Sequence, residues 1–335
     1  MTSVKDVAQL AGVSTATVSR VLSDKPYVSD EVRQRVLQAV EALDYRPNRV
    51  ARSLRIQKTS TIGLIVSDIR NPFFTDISRS VEDYAHLNDY TVFLCNTDEN
   101  PEKEKIYLDL MDAENVAGII LSPTRHTAQV FSKVYRSDIP VVIIDRRVSQ
   151  PELDHVLIDN IEAAQKLVNH LIEDGHKRIA GIFGVASTTG AERREGYLRA
   201  LKQNEIKPIP ELSMFVEAKE EAGCEAVLKL LNLSQPPDAI FTTNSLLTAG
   251  ALRAIRQKNL SIPNEIAIAG FDETRWTTLI VPPVTVIAQP TQEIGQTAAE
   301  LLINRIKDPK RPFREVTLKG QLIVRQSCAP HEVQG

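Results

Sequence analysis

Long apolar runs are missing from the 335 residues: the longest pieces, such as Gly118–Leu121 and Val141–Ile144, fall far short of the roughly 18 needed to span a bilayer. No membrane span or membrane partner is expected. Cysteine is scarce, and Cys95, Cys224 and Cys328 stand singly, in no spacing that suits a disulfide framework or a metal site. The six histidines show no metal spacing either. A Gly-x-Ser-x-Gly elbow, a phosphate-cradling Gly-rich loop and a His-Glu-x-x-His motif are all lacking. An enzyme is therefore not expected, and no cofactor is called for. The start, Met1-Thr2-Ser3-Val4-Lys5-Asp6, has no apolar stretch of the secretory kind, so a reduced cytoplasmic setting is the expectation.

Net charge is also nearly absent, at −3, until the chain is cut near residue 60. Residues 1–60 carry ten Lys/Arg against six Asp/Glu, whereas the remainder carries thirty against thirty-seven. A basic arm on an acidic body fits one segment made for a polyanion, although solvated faces alone can produce such an asymmetry.

What is present in the arm is a set of three short helical patterns. Ser3 with Asp6 forms a capping-box pattern, and Val4, Val7, Ala8 and Ala11 share one helical face before Gly12 interrupts it. Ser14 is placed to cap a second helix that turns Val18, Val21 and Leu22 inward and leaves Thr15, Ala16, Thr17, Ser19 and Arg20 outside. Ser29 opens a third, with Val32, Val36, Val40 and Leu43 in helical register. A Gly-containing turn between two short helices is the sequence form of a helix-turn-helix, whose second helix enters the major groove of DNA. Thr15, Thr17 and Ser19 could donate to phosphates or base edges, Ala16 leaves room for a thymine methyl, and Arg20 could grip guanine with two hydrogen bonds. A small helical domain with a polar solvated face would show the same spacing. Pro47-Asn48 then opens a short helical stretch from Arg49 to Arg55, too short to be stable alone, before a Thr59-Ser60-Thr61 linker.

Beyond residue 61 the texture becomes β-branched runs alternating with helical patterns: 62–67, 92–96, 116–122, 141–145, 179–184, 239–242 and 266–270. Continuously apolar strands of this kind belong to parallel sheets covered on both faces by helices. Some 275 residues are better divided between two such lobes than packed as one. Ligands of two-lobed α/β bodies sit where strands end. Just after the first strand, the turn 68–74 presents Phe73 and Phe74, which can stack on a sugar ring or a nucleobase or simply belong to the core. Asp145-Arg146 ends the fourth run, either bracketing vicinal hydroxyls or forming a structural ion pair.

The segments Val4-Lys5-Asp6-Val7-Ala8-Gln9-Leu10-Ala11-Gly12-Val13-Ser14, Thr17-Val18-Ser19-Arg20-Val21-Leu22, Tyr45-Arg46-Pro47-Asn48 and Ala51-Arg52-Ser53-Leu54 closely resemble the LacI/GalR family of bacterial regulators, and the likeness extends over nearly the whole chain. The resemblance implies an all-α helix-turn-helix headpiece over residues 1–46, a hinge helix and linker over 47–60, and a two-lobe periplasmic-binding-protein-like body over 61–335, built on two parallel doubly wound sheets. It implies a homodimer on a palindromic operator in double-stranded DNA, a repressor more readily than an activator, and control by a small-molecule effector. Ser14, Thr15, Ala16, Thr17, Ser19, Arg20, Asn48, Arg52 and Leu54 match the DNA-facing positions, Leu54 as a minor-groove wedge. Phe73, Phe74, Asp145, Arg146, Thr189, Arg193, Asn244, Asp272 and Gln289 match the effector positions. One departure stands out: Ala218 occupies a place where many relatives have an aromatic residue. A ring of Asp, Arg, Asn and Gln with one stacking wall points to a monosaccharide or derivative, with purine-like and phosphorylated effectors as alternatives. A solute-binding module for a transporter is the rival from another class.

Overall fold

A computed structural model describes residues 3–22, 28–45, 59–127, 138–148, 150, 152–185 and 188–328. Asn48, Arg52, Leu54 and the expected hinge helix lie outside the described residues. The chain divides into two compact units, Met1–Thr59 and Ser60–Gly335.

The first unit holds α1 (Val4–Ala11), α2 (Thr15–Leu22) and α3 (Asp30–Ala42). Ser3 and Asp6 form a reciprocal cap on α1: the Ser3 amide donates to Asp6 Oδ2 at 2.7 Å and the Asp6 amide to Ser3 Oγ at 3.4 Å. Gly12 ends that helix at φ 64°, a left-handed conformation that a side chain would strain, and this lets α2 start only three residues later. Ser14 Oγ accepts from the Thr17 amide at 3.1 Å and so caps α2. Val7, Ala8, Ala11, Val18, Val21, Val36 and Ala39 close the small core.

The second unit contains β1 (Thr61–Val66), α4 (Pro72–Leu87), β2 (Thr91–Asn96), α5 (Pro101–Ala113), β3 (Gly118–Leu121), β4 (Val141–Ile144) and β5 (Asp154–Ile158), then α6 (Asn160–Glu173) and β6 (Ile179–Gly184). It continues with α7 (Thr188–Gln203), β7 (Ser213–Val216), α8 (Glu220–Leu231), β8 (Ala239–Thr242), α9 (Ser245–Gln257), β9 (Ala267–Phe271), β10 (Thr285–Ala288), α10 (Thr291–Lys307), β11 (Glu315–Leu318) and β12 (Gln321–Ile323). Two six-stranded sheets result, in the orders β11-β5-β4-β3-β1-β2 and β12-β10-β9-β8-β6-β7. All pairings are parallel except β10 with β12, the one departure from the purely parallel expectation.

The sheets are not consecutive halves of the sequence. The chain leaves the first sheet after β5, and α6 packs on the second lobe through Ala163, Ala164, Leu167, Val168 and Leu171. It returns after β10, because α10 buries Ile294, Ala298, Leu301 and Leu302 against α4 and the β3, β4 and β5 strands of the first sheet. It crosses a third time between β11 and β12. Asp159, Gln289-Pro290 and Lys319-Gly320 are therefore the crossover residues, and the Asp159 amide donates to Leu318 O at 3.0 Å, tying two crossings together.

A buried ion pair fixes the last return to the first sheet. Asp154, fully buried at the start of β5, receives Arg305 Nε at 3.1 Å and Nη2 at 3.2 Å, together with the Arg314 amide at 2.8 Å. Arg305 also donates to Arg311 O and Pro312 O and lies 4.3 Å from the Phe313 ring, so one guanidinium organises the whole turn before β11.

Candidate functional site

Both doubly wound sheets point the C-terminal ends of their strands at one cleft of about 310 Å³, within the range of small-molecule sites. Phe73, Phe74, Asp145, Arg146, Thr189, Arg193, Asn244, Asp272 and Gln289 all line it. The first lobe supplies the loops after β1, β2 and β4, the second those after β6, β7, β8 and β9, and Gln289 comes from a crossover.

Local chemistry explains each placement. Asn71 caps α4 by accepting from the Phe73 amide at 3.1 Å, with Pro72 fixing the first turn, and this holds the two phenyl rings at the mouth of β1. Phe73 and Phe74 meet edge to face, their centroids 5.0 Å apart. They belong at once to the core behind α4 and to the cleft wall. Gly190 brings α7 against the end of β6: a Cβ there would stand 2.3 Å from Gly184 O.

Arg193, on α7, is the centre of the polar wall. Its Nε donates to Asn160 Oδ1 at 2.8 Å, Nη1 to Thr243 O and Nη2 to Gln289 Oε1 at 3.3 Å, and its guanidinium lies 4.0 Å from the centre of the Phe271 ring. Burial lowers its pKa, with Asp272 and Asp145 opposing the change. Asp272, at φ 77°, accepts from the Ser245 amide at 3.0 Å and from Gln289 Nε2 at 2.6 Å. Asn244 caps α9 by accepting from the Leu247 amide at 2.8 Å, which turns its oxygen toward the helix.

Across the cleft, Asp145 sits at φ 66° on the end of β4. Burial pushes its carboxyl above the usual carboxylate range, against the pull of Arg146 and Arg193. Arg146 is committed elsewhere: its fork grips Glu99 with both terminal nitrogens, and Nη1 also reaches Pro123 O at 2.8 Å. Burial acts to lower the Arg146 pKa, but Glu99, with Asp145 and Glu104 nearby, raises it overall. Arg146 Nε lies 3.3 Å from Asp145 Oδ2, near enough for an ion pair but without hydrogen-bond alignment. The terminal nitrogens of Arg146 are thus engaged within the first lobe.

Glu99, Asn160 and Thr243 join this set without a signal in the sequence pattern. Asn160 heads a helix after a strand that the apolar pattern did not reveal, and Glu99 lies three residues beyond β2 with no local signal. Among the described residues, two bonds join the lobes across the cleft: Ser245 Oγ donates to Asn71 Oδ1 at 3.4 Å, and Arg125 Nη1 to Val185 O at 2.7 Å.

In the first unit, Ser14, Thr15, Ala16, Ser19 and Arg20 form one exposed face of α2 and its cap. Thr17 departs from expectation: it is half-buried, and its hydroxyl lies 3.0 Å from Ser14 Oγ, so it braces the turn.

Residues 3–48 match the model of bacterial regulatory proteins of the lacI family, and residues 59–324 match that of periplasmic binding proteins and the sugar binding domain of the LacI family. A curated relative, the HTH-type transcriptional repressor PurR of Aliivibrio fischeri, is 35% identical over 98% of both chains. Among solved structures, the lac repressor dimer bound to operator and the anti-inducer ONPF is 25% identical, covering 98% of this chain and 99% of that one at a TM-score of 0.87. The complex of the transcriptional regulator CelR with cellobiose is 28% identical, covering 98% of this chain and all of that one at a TM-score of 0.74. Headpiece, two-lobed body and cleft thus agree with likeness along the full length: the chain belongs to the LacI family and is a DNA-binding transcriptional repressor with a ligand-binding effector domain.

Proposed function

We propose that the effector is a neutral monosaccharide or a close derivative, held in the cleft by Asp145 and Asp272 as acceptors, Arg193, Asn244 and Gln289 as donors, Thr189 beside them, and the Phe73–Phe74 wall against the ring. The observation that carries this reading is the pairing of the cleft's cations. Arg70 is bound to Asp68 at 3.3 Å, Lys219 to Glu217 at 2.7 Å, and Arg146 to Glu99. Arg193 faces two carboxylates, so among the described residues of the cleft no cation is left in surplus for a phosphate group. Ala218 lines the cleft where a second aromatic wall would sandwich a flat base, which favours a saccharide over a purine. The solved CelR relative holds cellobiose. Bound sugar stabilises the protein by mass action, so a neutral monosaccharide at 100 times its Kd is expected to raise the melting midpoint by roughly 5 °C. A shift given only by nucleobases or phosphorylated sugars would overturn the neutral-sugar assignment.

The body acts without turnover in a cytoplasmic homodimer, and two headpieces read the halves of a palindromic operator. Ser14, Thr15, Ala16, Thr17, Ser19 and Arg20 serve this reading, together with Asn48, Arg52 and the wedge Leu54. Arg20→Ala should relax base preference in each half-site by about tenfold, and Leu54→Ala should weaken specific binding far more than nonspecific binding. Selection from a randomised operator pool checks the first; an unchanged sequence profile would remove Arg20 from direct readout. Equal loss on operator and random DNA would do the same for the wedge.

A further inference from the structure

A second cluster lies at the far end of α6, away from the cleft. His170 and Asp174 stand one turn apart on the same helical face, with Asp174 as the terminal cap residue. Cys328, fully buried, approaches them from the segment after β12, and the three side chains bring one donor atom each to within 4.8 Å of one another. His170 Nε2 and Asp174 Oδ2 are 3.4 Å apart, yet each is shielded from solvent and has no hydrogen-bond partner. An ordinary His–Asp pair would satisfy both atoms; here the alignment satisfies neither. Buried polar atoms left in this way are uncommon and call for an explanation.

We propose that His170, Asp174 and Cys328 form a site for a divalent transition metal of the zinc class, with a water completing a tetrahedron. The His–Asp separation matches the edge of a tetrahedron whose nitrogen and oxygen ligands lie at ~2.1 Å, which is about 3.4 Å. Sulfur has at most about 1 Å to close from its present position to a tetrahedral edge. Imidazole and thiolate select a borderline-soft ion and disfavour magnesium or calcium. On binding, the Cys328 thiol gives its proton to solvent and the thiolate becomes the ligand; no redox change is involved.

The surroundings hold Cys328 in place for this. His176 Nε2 lies 2.6 Å from the Cys328 carbonyl oxygen and fixes the backbone there, while the thiol's donation to Ile268 O at 3.6 Å is given up when the thiolate forms. An ion here would tie the end of α6, whose first residue bonds Arg193, to the segment after β12. The sequence expectation of no metal site rested on local spacing, and Cys328 is remote from the helix in sequence.

Cobalt(II) serves as the probe on the untagged full-length chain. About one equivalent is expected to bind with a thiolate-to-cobalt charge-transfer band, and zinc should displace it. The band should persist in Cys95→Ser and Cys224→Ser and vanish in Cys328→Ser and His170→Gln, with circular dichroism reporting the fold of each. His170 is partly exposed at the helix end, so His170→Gln remains informative if Cys328→Ser misfolds. No band in the parent chain, or one that survives in folded His170→Gln, would overturn the site.

Discussion

An Arg193→Ala chain is expected to bind operator DNA as the parent does and to lose effector affinity by roughly 30-fold to 1,000-fold, the cost of truncating one partner of a buried, charged hydrogen-bond set. The size follows from what Arg193 compensates. Removing the guanidinium leaves Asp145 and Asp272 facing the same space without a counter-charge, and it leaves Asn160 Oδ1, Thr243 O and Gln289 Oε1 without their donor. A ligand hydroxyl cannot stand in for all three. Arg193→Lys separates charge from geometry: it keeps the positive charge and loses the planar fork, so it should recover only part of the affinity. Isothermal titration of the sugar into each chain, with operator binding measured alongside, checks the expectation. Affinity within threefold of the parent would show that the effector does not depend on this wall.

The largest effect on stability is expected from Asp154→Ala, at about 3–5 kcal/mol, because it strands the Arg305 guanidinium in the interior. Arg305 would keep its carbonyl partners but lose both bonds to the carboxylate, and the Arg314 amide would lose its acceptor. Replacing both members of the pair, as in Asp154→Leu with Arg305→Met, should cost far less than Asp154→Ala alone, since no uncompensated charge remains. Urea unfolding followed by circular dichroism measures both. A loss below 1 kcal/mol in Asp154→Ala would mean that water reaches the pair and that it contributes little.

The two expectations differ in how they could have been reached. Asp145, Asn244 and Asp272 follow apolar runs that mark strands, whereas Arg193 lies inside a helix and is reached only through the family resemblance. The strands that escaped notice have physical reasons for it. β5 begins Asp-His, because its first residue is a buried ion-pair partner and not an apolar one. β7 is a four-residue edge strand, and β11 and β12 alternate partly exposed positions at sheet edges, where water relieves the demand for continuous apolar residues. β10 begins two residues after Pro282-Pro283, which reads as a turn. With these strands unseen, the crossovers were unseen, and so was Asn160. Glu99 is different: its grip on Arg146 links residues 47 positions apart, and no local pattern carries such a pairing. Thr17 shows a smaller limit, since helical spacing places it outward while its own hydroxyl turns back to the cap.

The crossovers also decide what kind of signal the cleft can send. Asn160 and Gln289 stand at or beside two of the places where the chain passes from one lobe to the other, and both are bonded to Arg193. A ligand that engages Arg193 therefore pushes on the pivots themselves, at the short arm of a lever whose long arm is the lobe. A displacement of ~1 Å at such a point becomes several at the outer rim, by the amplification through which small effector-site shifts drive domain rotation. Two effectors of equal affinity that load the pivots differently would then be read as different commands.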